Sequence, residues 1–243
     1  MSLQKIDLKR RSLLFKVCNH NRGKVELMGI YMADLEKGDL IFQHVANANL
    51  ESTFVCHAAV VAQQVVRLKP LIFDIANPAG FCKRPLSSSP APFWSAYRVS
   101  DLLLAAKAAL IGNYWISNCP RVVYSTKKNR LTSHGAFSIL SMATAFAGRS
   151  YFGTHSMAYA NYLCTQCLTT LPREIHPDNT SLFSGEVCTY LPIALYQAAS
   201  GAEVVKYMAL DARKSISRDL VKYLNKNPEW RFLGTLDMTR PEM

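Results

Sequence analysis

Phe54-Val55-Cys56-His57-Ala58-Ala59-Val60-Val61-Ala62, followed by Leu71-Ile72-Phe73-Asp74-Ile75-Ala76-Asn77-Pro78, are the two segments that decide how this chain folds. The first lies in a Val- and Ala-rich stretch running from Thr53 to Val66. The second is a short apolar run from Leu71 to Ile75. Lys69-Pro70 between them is a turn signal, so the two read as neighbouring antiparallel strands. A polar side chain enters each: His57 in one strand, Asp74 near the end of the next. Their separation, 74 − 57 = 17 residues, spans two strands and a connection. Antiparallel pairing would then bring imidazole and carboxylate to one end of a sheet.

Outward from this pair the chain changes character. Pro78, Pro85, Pro90 and Pro92, with the Ser87 to Ser89 run, read as a long irregular segment. From Ser100 the pattern is mostly helical. Ser100-Asp101 caps an apolar run that ends near Gly112. Helical spacing recurs over Ala136 to Ala147, Thr154 to Leu171, Glu186 to Ala199 (interrupted by Pro192), Gly201 to Leu210 and Ile216 to Leu224. Arg231 to Asp237 reads as a closing strand. The fold expected is α+β: a small antiparallel sheet in a core over residues 12–98, then a mostly helical region over 99–243. That region is either a separate domain or packed directly on the strands.

The composition excludes some classes. The chain has 243 residues, 49% hydrophobic and 19% charged, enough to bury a core and unlike a disordered chain. Its longest apolar runs are too short for a membrane span, and no signal peptide is visible. The expected location is the cytoplasm, or outside the cell by a route without an N-terminal signal. Seven cysteines without framework spacing fit a reduced compartment. The Cys164-x-x-Cys167 pair lies in a helical segment with no second pair, and reads as core filling. The formal net charge is +11, and Met1 to Lys24 holds seven Lys or Arg against one Asp. Such charge favours an acidic protein surface, membrane headgroups or nucleic acid, and equally suits a solvated basic face. No stripe of interleaved aromatics and arginines marks a base-reading surface.

A His–Asp pair in this arrangement lacks only a nucleophile. Cys18 is the candidate, ahead of Asn19-His20-Asn21-Arg22 and the apolar Val25, Leu27, Met28, Ile30 and Tyr31. If that stretch is a helix, its dipole and a nearby imidazolium lower the thiol pKa, and its first amides form an oxyanion hole. If it is a strand, as Gly23 and Gly29 allow, that support is lost. Cys56 adjoins His57 and points to the opposite face, so it is set aside. No His, Cys, Asp or Glu cluster has metal-ligand spacing, and no phosphate or dinucleotide loop is present.

The order Cys18, His57-Ala58-Ala59-Val60, Asp74-Ile75-Ala76-Asn77-Pro78, with Trp94 following, resembles the protein-glutaminase (protein-glutamine deamidase) family, whose core is papain- and transglutaminase-like. The resemblance covers roughly residues 12 to 98. It implies that Cys18 attacks a glutamine carboxamide, His57 moves the proton and Asp74 orients His57. It implies a protein substrate with an accessible glutamine, and no metal or organic cofactor. Bacterial secreted toxins and effectors reuse this core. A thiol protease, transglutaminase or acyltransferase would carry the same three groups, and a non-enzymatic basic binding module is the alternative from another class.

Overall fold

The computed structural model describes residues 29–44, 55–64, 70–76, 80–89, 91–118, 152–168, 188–212 and 215–239. The chain is α+β. Its strands are β1 (Gly29–Ile30), β2 (Leu40–His44), β3 (Val55–Gln63), β4 (Leu71–Ala76), β5 (Gly80–Pro85), β6 (Phe93–Val99) and β7 (Trp230–Asp237). They form one seven-stranded sheet in the order β1-β7-β6-β2-β3-β4-β5. Only β1 and β7 run parallel; the other neighbours are antiparallel.

This sheet is larger than the small antiparallel one expected, and it is mixed. The C-terminal strand β7 lies between β6 and the two-residue edge strand β1. Three strands, β2, β5 and β6, have no counterpart in the sequence expectation. β5 falls inside the segment taken as irregular; it is an edge strand whose last residue is Pro85. An edge strand tolerates proline because one side of it needs no ladder donors. The described end of the stretch considered for the Cys18 helix is also strand, with Gly29 and Ile30 aligned to Thr235 and Leu236.

Both faces of the sheet are covered, which explains the nearly unbroken apolar run of β3. Leu40, Phe42, Ala58, Val60, Phe73 and Ile75 face the larger core. The alternating Ile41, Ala59, Val61 and Ile72 face a smaller one with Trp94, Ala96 and Leu236. The larger core is closed by the helices α1 (Leu102–Asn118), α2 (Thr154–Leu168), α3 (Tyr190–Ser200), the single turn α4 (Val204–Tyr207) and α5 (Ser217–Leu224). The helix expected over 136–147 lies outside the described residues.

Local chemistry sets the helix ends. Asp101 caps α1, its Oδ1 accepting from the amides of Leu103 at 2.9 Å and Leu104 at 3.0 Å. In α3 every residue from Tyr190 to Ala199 is buried. Pro192 does not interrupt this helix. It is the third helical residue, where an amide has no intrahelical acceptor to lose.

Long-range polar contacts tie helices to strands. Tyr196 in α3 donates to the Gly38 carbonyl at 2.6 Å. Arg98 in β6 reaches Asp39 through Nε at 2.8 Å and Nη2 at 2.7 Å, pinning the turn ahead of β2. Gly38 in that turn has φ 92°, a left-handed conformation suited to glycine. No helix among the described residues is long and apolar enough to cross a membrane.

Candidate active site

His57 owes its place to a bulge. Gln43 aligns with His57 but His44 aligns with Val55, so Cys56 is an extra residue in β3. Bulges bend a strand and re-aim the side chain beside them. On the other side of β3, the ladder to β4 is registered from Gln63–Leu71 to Val60–Phe73. Continued one residue further, that register sets Asp74 opposite Ala59, two residues along from His57 and so diagonal to it.

The two side chains meet. His57 Nε2 lies 2.5 Å from Asp74 Oδ1. The other oxygen of Asp74, Oδ2, accepts from Arg84 through Nε at 2.7 Å and Nη2 at 2.5 Å. Arg84 sits on β5 and is itself braced by Nη1 donating to Ser88 Oγ at 3.0 Å. The Asp74 side chain is fully buried, while His57 keeps 16% of its surface and Arg84 23%. Trp94 packs edge-on to the His57 ring, with centroids 6.4 Å apart.

A thiol that the sequence reading passed over completes the set. The Cys188 thiol lies beside the His57 side chain and the Ala58 backbone, close enough for both to act on its charge. Cys188 is a free cysteine, buried, two residues ahead of α3. The Ser217 hydroxyl at the start of α5 lies 4.0 Å from the sulfur. Cys18 lies outside the described residues. His57 thus stands between Asp74 and Cys188, and both act on its charge.

The electrostatics follow from these contacts. For Cys188, burial favours the neutral thiol, but hydrogen bonding to His57 and its charge, then Ala58 and Ser217, outweigh it and lower the pKa. For His57, burial opposes the charge, yet the bonds to Asp74 and Cys188 and their charges raise the pKa to about 10. For Asp74, burial opposes ionisation, and His57 with Arg84 overcomes it, leaving the pKa lowered. The arrangement therefore favours a thiolate–imidazolium pair beside an ionised carboxylate. The helix dipole of α3 adds positive potential near the sulfur.

Among the described residues no group of three or more His, Cys, Asp or Glu side chains is arranged to hold a metal ion. The sequence expectation put Cys188 inside a helix starting at Glu186; the helix starts instead at Tyr190, which leaves Cys188 just ahead of it. No family model, curated protein or solved structure matches the chain, so the reading of this site stands on its geometry.

Proposed function

We propose that the chain is a cysteine-dependent amidohydrolase with Cys188 as nucleophile, His57 as proton carrier, Asp74 as the group that orients His57, and Arg84 as the residue that holds Asp74. The observation that carries this reading is the continuous contact from the Cys188 sulfur through the His57 ring to Asp74. We read the scaffold as papain/transglutaminase-like in arrangement: a thiol ahead of a helix, set against a strand-borne histidine, with the carboxylate on the adjacent strand. The chain order is His–Asp–Cys, not the Cys–His–Asp of the family resemblance. Function follows the spatial constellation and not the order in which the chain supplies it.

The reaction runs through two acyl transfers. The Cys188 thiolate attacks the carbonyl carbon of an amide, and the electron pair moves onto oxygen. Amides of the first turn of α3 are suited to hold that oxyanion. The His57 imidazolium gives its proton to the departing nitrogen as the C–N bond breaks, leaving a thioester and a neutral amine or ammonia. Neutral His57 then takes a proton from water as its oxygen attacks the thioester. The C–S bond breaks, a carboxylic acid leaves, and the thiolate–imidazolium pair is restored. Asp74 keeps the imidazole in the tautomer and orientation that both proton movements need.

The substrate we propose is the side-chain amide of a protein glutamine, converted to glutamate with release of ammonia. Its support is the sequence resemblance around His57 and Asp74. The test incubates the protein with a denatured protein mixture and maps the products by mass spectrometry. New glutamates at former glutamines are expected, absent with Cys188→Ala and retained with Cys18→Ala. The reverse dependence on the two cysteines would move the nucleophile to Cys18. New chain termini, or amine crosslinks, would replace deamidation by proteolysis or transamidation.

A further inference from the structure

Ser217 is the first residue of α5, and it is buried, with 6% of its surface exposed. Its hydroxyl oxygen stands 3.0 Å from Thr189 Oγ1 and 4.0 Å from Cys188 Sγ. Thr189 is 1% exposed, so both hydroxyls sit away from bulk solvent. A hydroxyl has one proton to give and two lone pairs to receive. Were Ser217 to spend its proton on Thr189, its lone pairs would face a negatively charged sulfur. With Thr189 donating to Ser217, the Ser217 proton is left for the sulfur, and every group in the cluster is satisfied. The Ala58 amide is a second donor to the sulfur.

We propose, building on the thiol site described above, that Ser217 is a positioning residue. It donates its hydroxyl proton to the Cys188 thiolate, and Thr189 stands behind it as the donor that leaves this proton free. Ser217 and Ala58 thus hold a charged sulfur in place beside His57, from an element that arrives 29 residues after the cysteine. Ser217 takes no proton from substrate and forms no bond to it.

The experiment follows the ultraviolet absorbance of the thiolate against pH in the full-length protein, with Cys188→Ser subtracted to isolate this sulfur. The method needs no reagent to reach a buried thiol. Ser217→Ala is expected to move the thiolate midpoint to higher pH. At a fixed pH below the wild-type midpoint its thiolate fraction should fall roughly tenfold, the effect of losing one hydrogen bond to a charged group. Ser217→Thr should keep the wild-type curve. Thr189→Val removes the same hydroxyl–hydroxyl bond but leaves Ser217 its proton, so its curve should stay near wild type. Equal shifts in Ser217→Ala and Thr189→Val would reduce Ser217 to a packing role, and no shift in Ser217→Ala would overturn the proposal. Ser217→Gly serves in place of the alanine variant should that one fail to fold by circular dichroism. The thiol site itself fails separately, if wild-type Cys188 titrates as an ordinary thiol and His57→Ala leaves the curve in place.

Discussion

Asp74 keeps a negative charge in a position with no solvent exposure, which costs several kcal/mol unless partners share it. It has two, divided between its oxygens: His57 on Oδ1 and Arg84 on Oδ2. This division fixes which oxygen meets the imidazole. It also sets the pH dependence of the proposed reaction. Activity needs Cys188 as thiolate and His57 as imidazolium. The rate therefore rises as pH passes the lowered thiol pKa and falls as pH passes the His57 value of about 10. Asp74→Asn keeps an acceptor but removes the charge that stabilises the imidazolium. Its falling limb should move to lower pH in a pH–rate profile, and an unmoved limb would mean that Asp74 does not set the His57 pKa. The His57–Asp74 neighbourhood was legible because a strand pair encodes it locally, 17 residues apart. Cys188 was not legible, because it reaches His57 from across the fold, 188 − 57 = 131 residues later. Cys18 lay nearer the expected strands, and nothing in spacing alone distinguishes the two.

Among the elements, α1 comes close to the sheet at Gly112. A methyl group built there would stand 2.6 Å from Cε2 of Phe73 and 2.9 Å from its Cδ2. Alanine is intrinsically better than glycine inside a helix by about 1 kcal/mol. Overpacking against a fully buried ring costs about 1–3 kcal/mol, so the clash should win. Gly112→Ala is expected to lower the melting temperature, and Phe73→Leu in that background to recover part of the loss. A Gly112→Ala protein more stable than wild type would show that the ring moves aside freely. The capped start of α1, the β3–β4 pair and the closing strand β7 were all readable, since each rests on local signals: a capping carboxylate, an apolar run, a turn. The end of α1 was not. Gly112 looked like a stop, yet the helix continues to Asn118 because glycine is used there for close packing. β5 was hidden for a related reason: as an edge strand it carries Lys83, Arg84 and a terminal proline, and so lacks the apolar signature of its neighbours.

At the scale of the whole molecule, the chain returns at its end to complete what its first part begins. The strands β2 to β6 fall within residues 29–99, but their larger face is covered by helices drawn from residues 102–224, and β6 is paired on its outer side by β7 at residues 230–237. A segment comprising residues 12–98 would uncover Leu40, Phe42, Val60, Phe73 and Ile75. Each such side chain contributes about 1.5–3 kcal/mol when buried. Five of them together match the ~5–15 kcal/mol that separates a folded domain from its unfolded chain. The segment would also lose Cys188, and would turn β6 into an open edge that invites aggregation. Expressed alone, it is expected to lack a cooperative thermal transition and to be prone to association. Adding residues 99–243 as a separate polypeptide should restore the transition only if the two pieces bind. A sharp two-state melt of 12–98 by itself, with dispersed amide resonances, would show that the sheet folds without its helical cover and that the site assembles by docking of two autonomous units.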